Sequence, residues 1–432
     1  MEWSTNYGDK GSASNALRIA AITGVLAAPS VILLVDGLGS PYLGICVLAG
    51  LLVVARQARL FVTDWRRAGI LLWFGILMLA YLLVTLANFA FVDSSTFAIN
   101  RVERQLLLLS IPVVFALLWW ARPTLKVVAS GIAINAVVFG LYTMFAVLPG
   151  RERWEGLGVT HMILFGNAGL LLGFASLALV LLKPNWPWRI LGLAGLGFGL
   201  ATSVLSQSRG GWLAIPLLVV VSLIAYTRMY RPRVATRFTI TVTTLVALVI
   251  LAQAPAIEYR VAEARQDLLG MTSGNFETSL GWRILMWQTA WDTGREAPLF
   301  GQGFSGYPDN VDAGIEHGHL PHSMGRFRTE PHSDYLHILA SRGVVGLMSY
   351  AALLLVPIGY LIALLTFGER RQIAGAQLGL SLLIVLAVSG LSITMIDQRI
   401  MIRFISVVSA ISLYAVWETQ RSSPPRDSLG RT

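Results

Sequence analysis

Apolar runs of about twenty residues, the length that crosses a bilayer, recur from one end of this 432-residue chain to the other, and nothing else limits its fold so strictly. They lie near 16–35, 39–55, 69–91, 105–121, 125–148, 161–182, 187–205, 211–227, 238–255, 343–366, 373–395 and 400–418, about twelve spans in all. Only 13% of the residues are charged against 55% hydrophobic, roughly half the charge of an average water-soluble domain. The sequence therefore predicts an all-α integral membrane protein. Its first fifteen residues are polar and the first apolar run shows no small-residue cleavage site, which predicts a retained anchor rather than a removed signal.

Charge sets the expected orientation. With the N-terminus inside and loops assigned alternately, Arg56, Arg59, Arg66, Arg67, Arg228, Arg231, Arg233 and Arg237 are among the many cations that fall on the cytoplasmic side. The short outer loops keep far fewer, namely Arg101, Arg104, Arg151, Arg153, Arg209, Arg399 and Arg403. This excess predicts both termini in the cytoplasm and accounts for the net charge of +10 as topology. No basic run is interleaved with aromatics, so nucleic-acid binding is not expected. The single cysteine, Cys46, sits mid-span, can form no intrachain disulfide, and reads as a small packing residue.

The chain divides accordingly: 1–255 hold spans one to nine, 256–342 form one large outer segment, 343–418 hold spans ten to twelve, and 419–432 make a polar cytoplasmic tail. A connection as long as 256–342 is usually functional. Within it Glu258 to Leu269 suits a short interfacial helix. A second helix carries Trp282, Ile284, Met286, Trp287 and Trp291 until Gly294 and Pro298 stop it. Tryptophans so spaced are expected at the membrane surface, where indoles settle. Arg283 shares a face with Trp287, and a cation drawn against that interface needs an anion. Arg209 stands in Ser206-Gln207-Ser208-Arg209-Gly210-Gly211-Trp212; the glycines let the backbone approach a ligand while the guanidinium binds phosphate through two parallel hydrogen bonds. Arg209 and Arg283 are the candidate phosphate-binding pair, weighed against the plainer role of snorkelling arginines. Arg399 and Arg403 lie four apart on one helical face with Asp397 nearby, which suits a structural ion pair.

Five of the six histidines fall between His317 and His337. Glu316-His317-Gly318-His319-Leu320-Pro321-His322 has the residue types of a zinc site. Glycine and proline make the stretch irregular, however, and no supporting carboxylate pattern accompanies it, so no metal is expected. His332 differs. Pro331 suits the first turn of a helix with Glu330 just before it. That places His332 among the unpaired amides of a helix start, where the dipole disfavours imidazolium. A neutral imidazole at the membrane surface is what a general base requires. His337, five residues on, points about 140° away round the helix and is expected to pack or hydrogen-bond rather than serve the same point.

Arg283 with Trp287 and Trp291, then Ala297-Pro298-Leu299-Phe300-Gly301-Gln302-Gly303-Phe304, then Pro331-His332-Ser333-Asp334-Tyr335-Leu336 with Gly343 and Gly346, resemble the O-antigen ligase family. Its superfamily also holds O-antigen polymerases and protein O-oligosaccharyltransferases. Twelve spans with one large outer loop before the tenth carry the resemblance over essentially the whole chain, although Ser333 stands where Asn is frequent.

The resemblance implies a GT-C-like membrane glycosyltransferase, independent of metal, nucleotide and cofactor, in the bacterial inner membrane with its active site facing the periplasm. It implies an undecaprenyl-diphosphate-linked O-antigen as donor and lipid A–core as acceptor, both embedded in membrane lipid. Arg209 and Arg283 would then hold the diphosphate where negative charge develops. His332 would deprotonate or orient the acceptor hydroxyl, and one displacement would invert the anomeric centre. His337, Arg399 and Arg403 would be secondary. A polymerase or protein glycosyltransferase of the same superfamily, or a polytopic transporter, are the rivals. Few ionisable residues lie mid-span, where transporters bind.

Overall fold

A computed structural model describes residues 12–67, 69–147, 162–182, 185–206, 209–252, 254–272 and 276–421. Helix follows helix, with no strand among the described residues, as expected where lipid offers backbone groups no partner. In order these are α1 (Ser12–Leu34), α2 (Gly39–Arg67), α3 (Gly69–Phe91), α4 (Thr96–Leu106), α5 (Ser110–Ala121), α6 (Leu125–Val147), α7 (Met162–Ala175), α8 (Leu177–Leu181) and α9 (Trp186–Leu205). Then follow α10 (Arg209–Trp212), α11 (Ile215–Met229), α12 (Pro232–Ala252), α13 (Ala254–Thr272), α14 (Ser279–Glu296), α15 (Gly306–Glu316), α16 (Asp334–Phe367), α17 (Arg370–Ser389) and α18 (Arg399–Arg421). Arg151, Arg153, residues 273–275 and residues 422–432 lie outside the described residues.

Among the described residues eleven helices are long and apolar enough to cross a membrane. α12, 21 residues long, overlaps the ninth expected span at 238–252 but is not among those eleven. Two spans begin earlier than the sequence suggests: α4 runs on into α5 as Thr96–Ala121, and the tenth starts at Asp334. Charge misled the boundaries. Arg101, His337 and Arg342 lie inside those helices because they are buried against protein, not lipid.

Small residues bring helices together, as is usual where lipid gives no hydrophobic drive between them. A Cβ on Gly199 of α9 would sit 2.5 Å from the Gly169 carbonyl and 2.6 Å from Gly173 Cα of α7, so the two backbones touch. Polar pins add to this. Asn135 of α6 donates to the Leu26 carbonyl of α1 at 2.7 Å, and Gln377 of α17 to Ser222 Oγ of α11 at 2.9 Å.

The connection before α16 has its own small core of Met286, Ala290, Tyr307, Val311, Met324 and Ala340. Trp282 and Trp287 pack against it, while Trp291 is 55% exposed. The tryptophans therefore do not share one membrane-facing surface. Trp282 and Trp291 are nine residues apart, about half a turn round the helix.

α16 breaks at Gly343, where φ is 63° and ψ −162°. The break frees backbone groups on either side, and residues 298–303 take them up. Gln302 and Gly303 donate to the carbonyls of Ala340 and Ser341, both at 2.9 Å; Val344 and Val345 donate to those of Pro298 at 2.8 Å and Leu299 at 3.2 Å. Asn88 of α3 closes the junction, donating to the carbonyls of Phe300 at 2.8 Å and Ser341 at 3.0 Å. Irregular backbone is tolerated here because protein surrounds it. A Cβ on Gly343 would collide with the Leu299 carbonyl group. Gly343→Ala is expected to cost at least about 2 kcal/mol, since this backbone region is open to glycine alone, and to lower the denaturation temperature of the purified protein. Gly359→Ala in the same helix, with open space around it, should leave that temperature unchanged or slightly raised.

Candidate active site

The site is built on the start of α16. Ser333 caps the helix, its hydroxyl accepting from the Leu336 amide at 3.5 Å. The next residue, Asp334, is buried. Its amide donates to the Gly390 carbonyl at 2.8 Å and its Oδ1 accepts from the Ile396 amide at 3.1 Å. These bonds stitch α16 to the loop joining α17 and α18. Glu330 adds a third stitch, with Gln398 Nε2 2.8 Å from each of its carboxylate oxygens.

This start corrects the expectation for His332. Pro331 is not in the first turn, because the cap falls to Ser333, whose hydroxyl can satisfy an amide where proline cannot. His332 stands outside the helix with φ 50°, so it is not among the dipole's open amides. What it has instead is a carboxylate: Nδ1 lies 3.6 Å from Glu330 Oε1. The ring meets Phe327 edge-on at 6.0 Å. Nδ1 is buried without a hydrogen bond while the side chain is 34% exposed, which makes Nε2 the outward nitrogen.

A cluster of buried charge underlies this rim. Arg101 of α4 pairs with Asp397 and donates to the Thr329 carbonyl at 3.2 Å. Arg104 donates to the Asp397 carbonyl at 2.9 Å, and His337 Nε2 is 3.6 Å from Asp397 Oδ2. Burial pushes the Asp397 carboxyl up to about 6 against the pull of Arg101 and Arg104. Arg342 is wholly buried, its guanidinium between the rings of Tyr81 and Phe304, each at 5.1 Å. It donates to Tyr81 Oη at 2.7 Å and Thr85 Oγ1 at 3.1 Å.

The other expected residues fall as follows. Arg399 pairs with Glu103 at 3.0 Å on the surface, not with Asp397, which turns inward to Arg101. Arg403 is half-buried one turn further along α18. Arg283 is half-buried on α14. The ring of its neighbour Trp282 is 5.7 Å from Phe327, the ring that touches His332. Arg209 opens α10, and its side chain lies outside the described residues. The backbone beside it is close to the Asp397 loop, since a Cβ on Gly210 would collide with Ser392 Oγ. His317 and His319 stack on each other at 6.1 Å, and among the described residues no group of three His, Cys, Asp or Glu could hold a metal ion.

Sequence reasoning missed Arg101, Arg104 and Arg326. The first two are three apart with Gln105 beside them at the head of a span, a spacing that puts both on one helical side. Arg326 lies over Trp282 at 6.0 Å and Phe327 at 5.9 Å.

Residues 194–351 match the family model described as O-antigen ligase. Over that stretch the chain is similar to the O-antigen ligase family. The O-antigen ligase match runs from α9 to the upper part of α16, and so takes in Arg209, Arg283, Glu330, His332, His337 and Arg342. Among curated proteins the chain is similar to an uncharacterized protein of Haemophilus influenzae, 27% identical over 242 residues, covering 55% of this chain and 60% of that one. It is also similar to the O-antigen ligase of Escherichia coli, 26% identical over 227 residues, 50% of this chain and 53% of that one. The match thus spans little more than half the length of these curated relatives.

Proposed function

We propose that this protein is an O-antigen ligase, a metal-independent inverting glycosyltransferase. It transfers polysaccharide from undecaprenyl diphosphate to lipid A–core at the periplasmic face of the bacterial inner membrane. The observation that carries the reading is His332, held outside its helix with Nδ1 3.6 Å from Glu330 and its side chain 34% exposed. Nε2 faces outward and can take the proton of an acceptor hydroxyl, with the Glu330 carboxylate behind the ring. The acceptor oxygen attacks the anomeric carbon, the bond from that carbon to the diphosphate breaks, and its electron pair leaves on a phosphate oxygen. Arg209 and Arg283 hold that oxygen's charge as it develops, so the domain 256–342 and the turn at Arg209 share one substrate. The lysine and arginine bias supports an outward orientation for this end of the bundle.

Two experiments bear on the reading. Purified Arg283→Lys and Arg209→Lys variants should lose most transfer, about tenfold or more, because an ammonium cannot reproduce a two-pronged guanidinium contact. EDTA should change little; strong inhibition reversed by zinc would refute metal independence. In a deletion strain, complete lipid A–core without polymer should appear on lipopolysaccharide gels while long-chain glycan accumulates on the outer-leaflet carrier. Core bearing a single repeat unit would point to a polymerase, and donor trapped inside would point to a transporter.

A further inference from the structure

A basic pocket of 370 Å³ opens at the other end of the bundle, with Thr124, Lys126, Asn185, Arg370 and Arg371 in its wall. Its position follows from α17. That helix begins at Arg370 and runs 20 residues to Ser389, about 30 Å at the helical rise. Its far end leads into the Gly390 carbonyl that Asp334 holds. Arg370 and Arg371 therefore lie on the membrane face opposite His332.

Among the described residues Lys126, Arg370 and Arg371 line it, and Arg371 lies 3.2 Å from the Glu418 carboxylate. Lys126 rests over the Trp188 ring at 4.6 Å. Arg370 faces the Tyr230 ring at 5.3 Å and donates through Nη2 to the Met229 carbonyl at 2.8 Å, while its Nη1 is buried with no partner. Asn185 stands just before α9 without using its side chain as a cap. A general excess of cations on one membrane face explains charges spread over loops. It does not explain a guanidinium nitrogen buried and unsatisfied in a concave wall. The pocket also lies at the level where acyl chains end, since Trp186 and Trp188 beside it are 72% and 36% exposed, the placement indoles take among headgroups.

We propose that this pocket seats the phosphate of an anionic phospholipid headgroup. Lys126 and Arg371 supply charge from α6 and α17, and Arg370 Nη1 supplies the donor that is otherwise without an acceptor. The ligand is lipid rather than free phosphate because half-buried Leu182 in the wall and the exposed Trp186 beside it give an acyl chain an apolar path out.

The test uses full-length protein, delipidated in neutral detergent, titrated with phosphatidylglycerol, phosphatidylcholine or inorganic phosphate and followed by native mass spectrometry and thermal denaturation. Phosphatidylglycerol should bind and raise the denaturation temperature, whereas phosphatidylcholine and millimolar phosphate should not. The double variant Lys126→Gln/Arg371→Gln, both exposed side chains, should denature like wild type without lipid yet bind phosphatidylglycerol at least about tenfold more weakly. Arg56→Gln, an exposed cation outside the pocket, should bind as wild type does. Unchanged affinity in the double variant, equal binding of phosphatidylcholine, or equal protection by inorganic phosphate would each overturn the assignment.

Discussion

His332→Ala is expected to lower glycan transfer by at least about a hundredfold, the lower end of what a positioned base contributes, while the protein still inserts and accumulates. The two halves of this expectation come from one geometry. His332 precedes the Ser333 cap, and its side chain is 34% exposed, so losing the ring removes little packing. His337→Ala should behave in the opposite way. That ring is enclosed beside Asp397, and its loss should lower stability more than chemistry. Transfer to lipid A–core by purified variants, with accumulation measured in parallel, separates the two. Full activity in His332→Ala would sink the assignment of the base.

The largest loss of stability is expected from Asp397→Ala. Arg101 and Arg104 would then share no carboxylate beneath the site, with side chains only 6% and 22% exposed. Removing one partner of a buried pair costs about 3–5 kcal/mol, enough to empty the membrane of folded protein. Two companions make this specific. Asp397→Asn keeps an acceptor and should lose less. Adding Arg101→Met to Asp397→Ala should recover part of the loss, because removing both charges costs less than stranding one. If Asp397→Ala denatures within a degree or two of wild type, the cluster is not what holds α4 to the loop before α18.

Most of the bundle was legible because each crossing needs about twenty apolar residues, and few other sequences supply them. What was not legible had partners far along the chain. Asp397 stands two residues from Arg399, and proximity suggested that pair; its actual partner, Arg101, is 296 residues away. The same distance hid the roles of Arg101 and Arg104, which read as loop charges once the span was begun at 105. His332 stood out as a histidine beside proline, but its backbone did not, since choosing between Pro331 and Ser333 as the helix start requires knowing which amides are open. The tryptophans of α14 looked membrane-bound because their composition suits an interface; only the core formed by α14, α15 and α16 shows that two of them serve the connection itself.

Asn88, at the end of α3, holds carbonyls 212 and 253 residues further on. That reach sets a clock on biogenesis. When the first three spans enter the bilayer, the groups Asn88 will bind have not yet been translated. The broken backbone at Gly343 in turn cannot be left facing lipid, so α16 has to meet residues 298–303 before it settles. Asp397, from the loop before the last helix, arrives later still. A chain released early would thus lack both the packed junction at Gly343 and the Arg101–Asp397 pair.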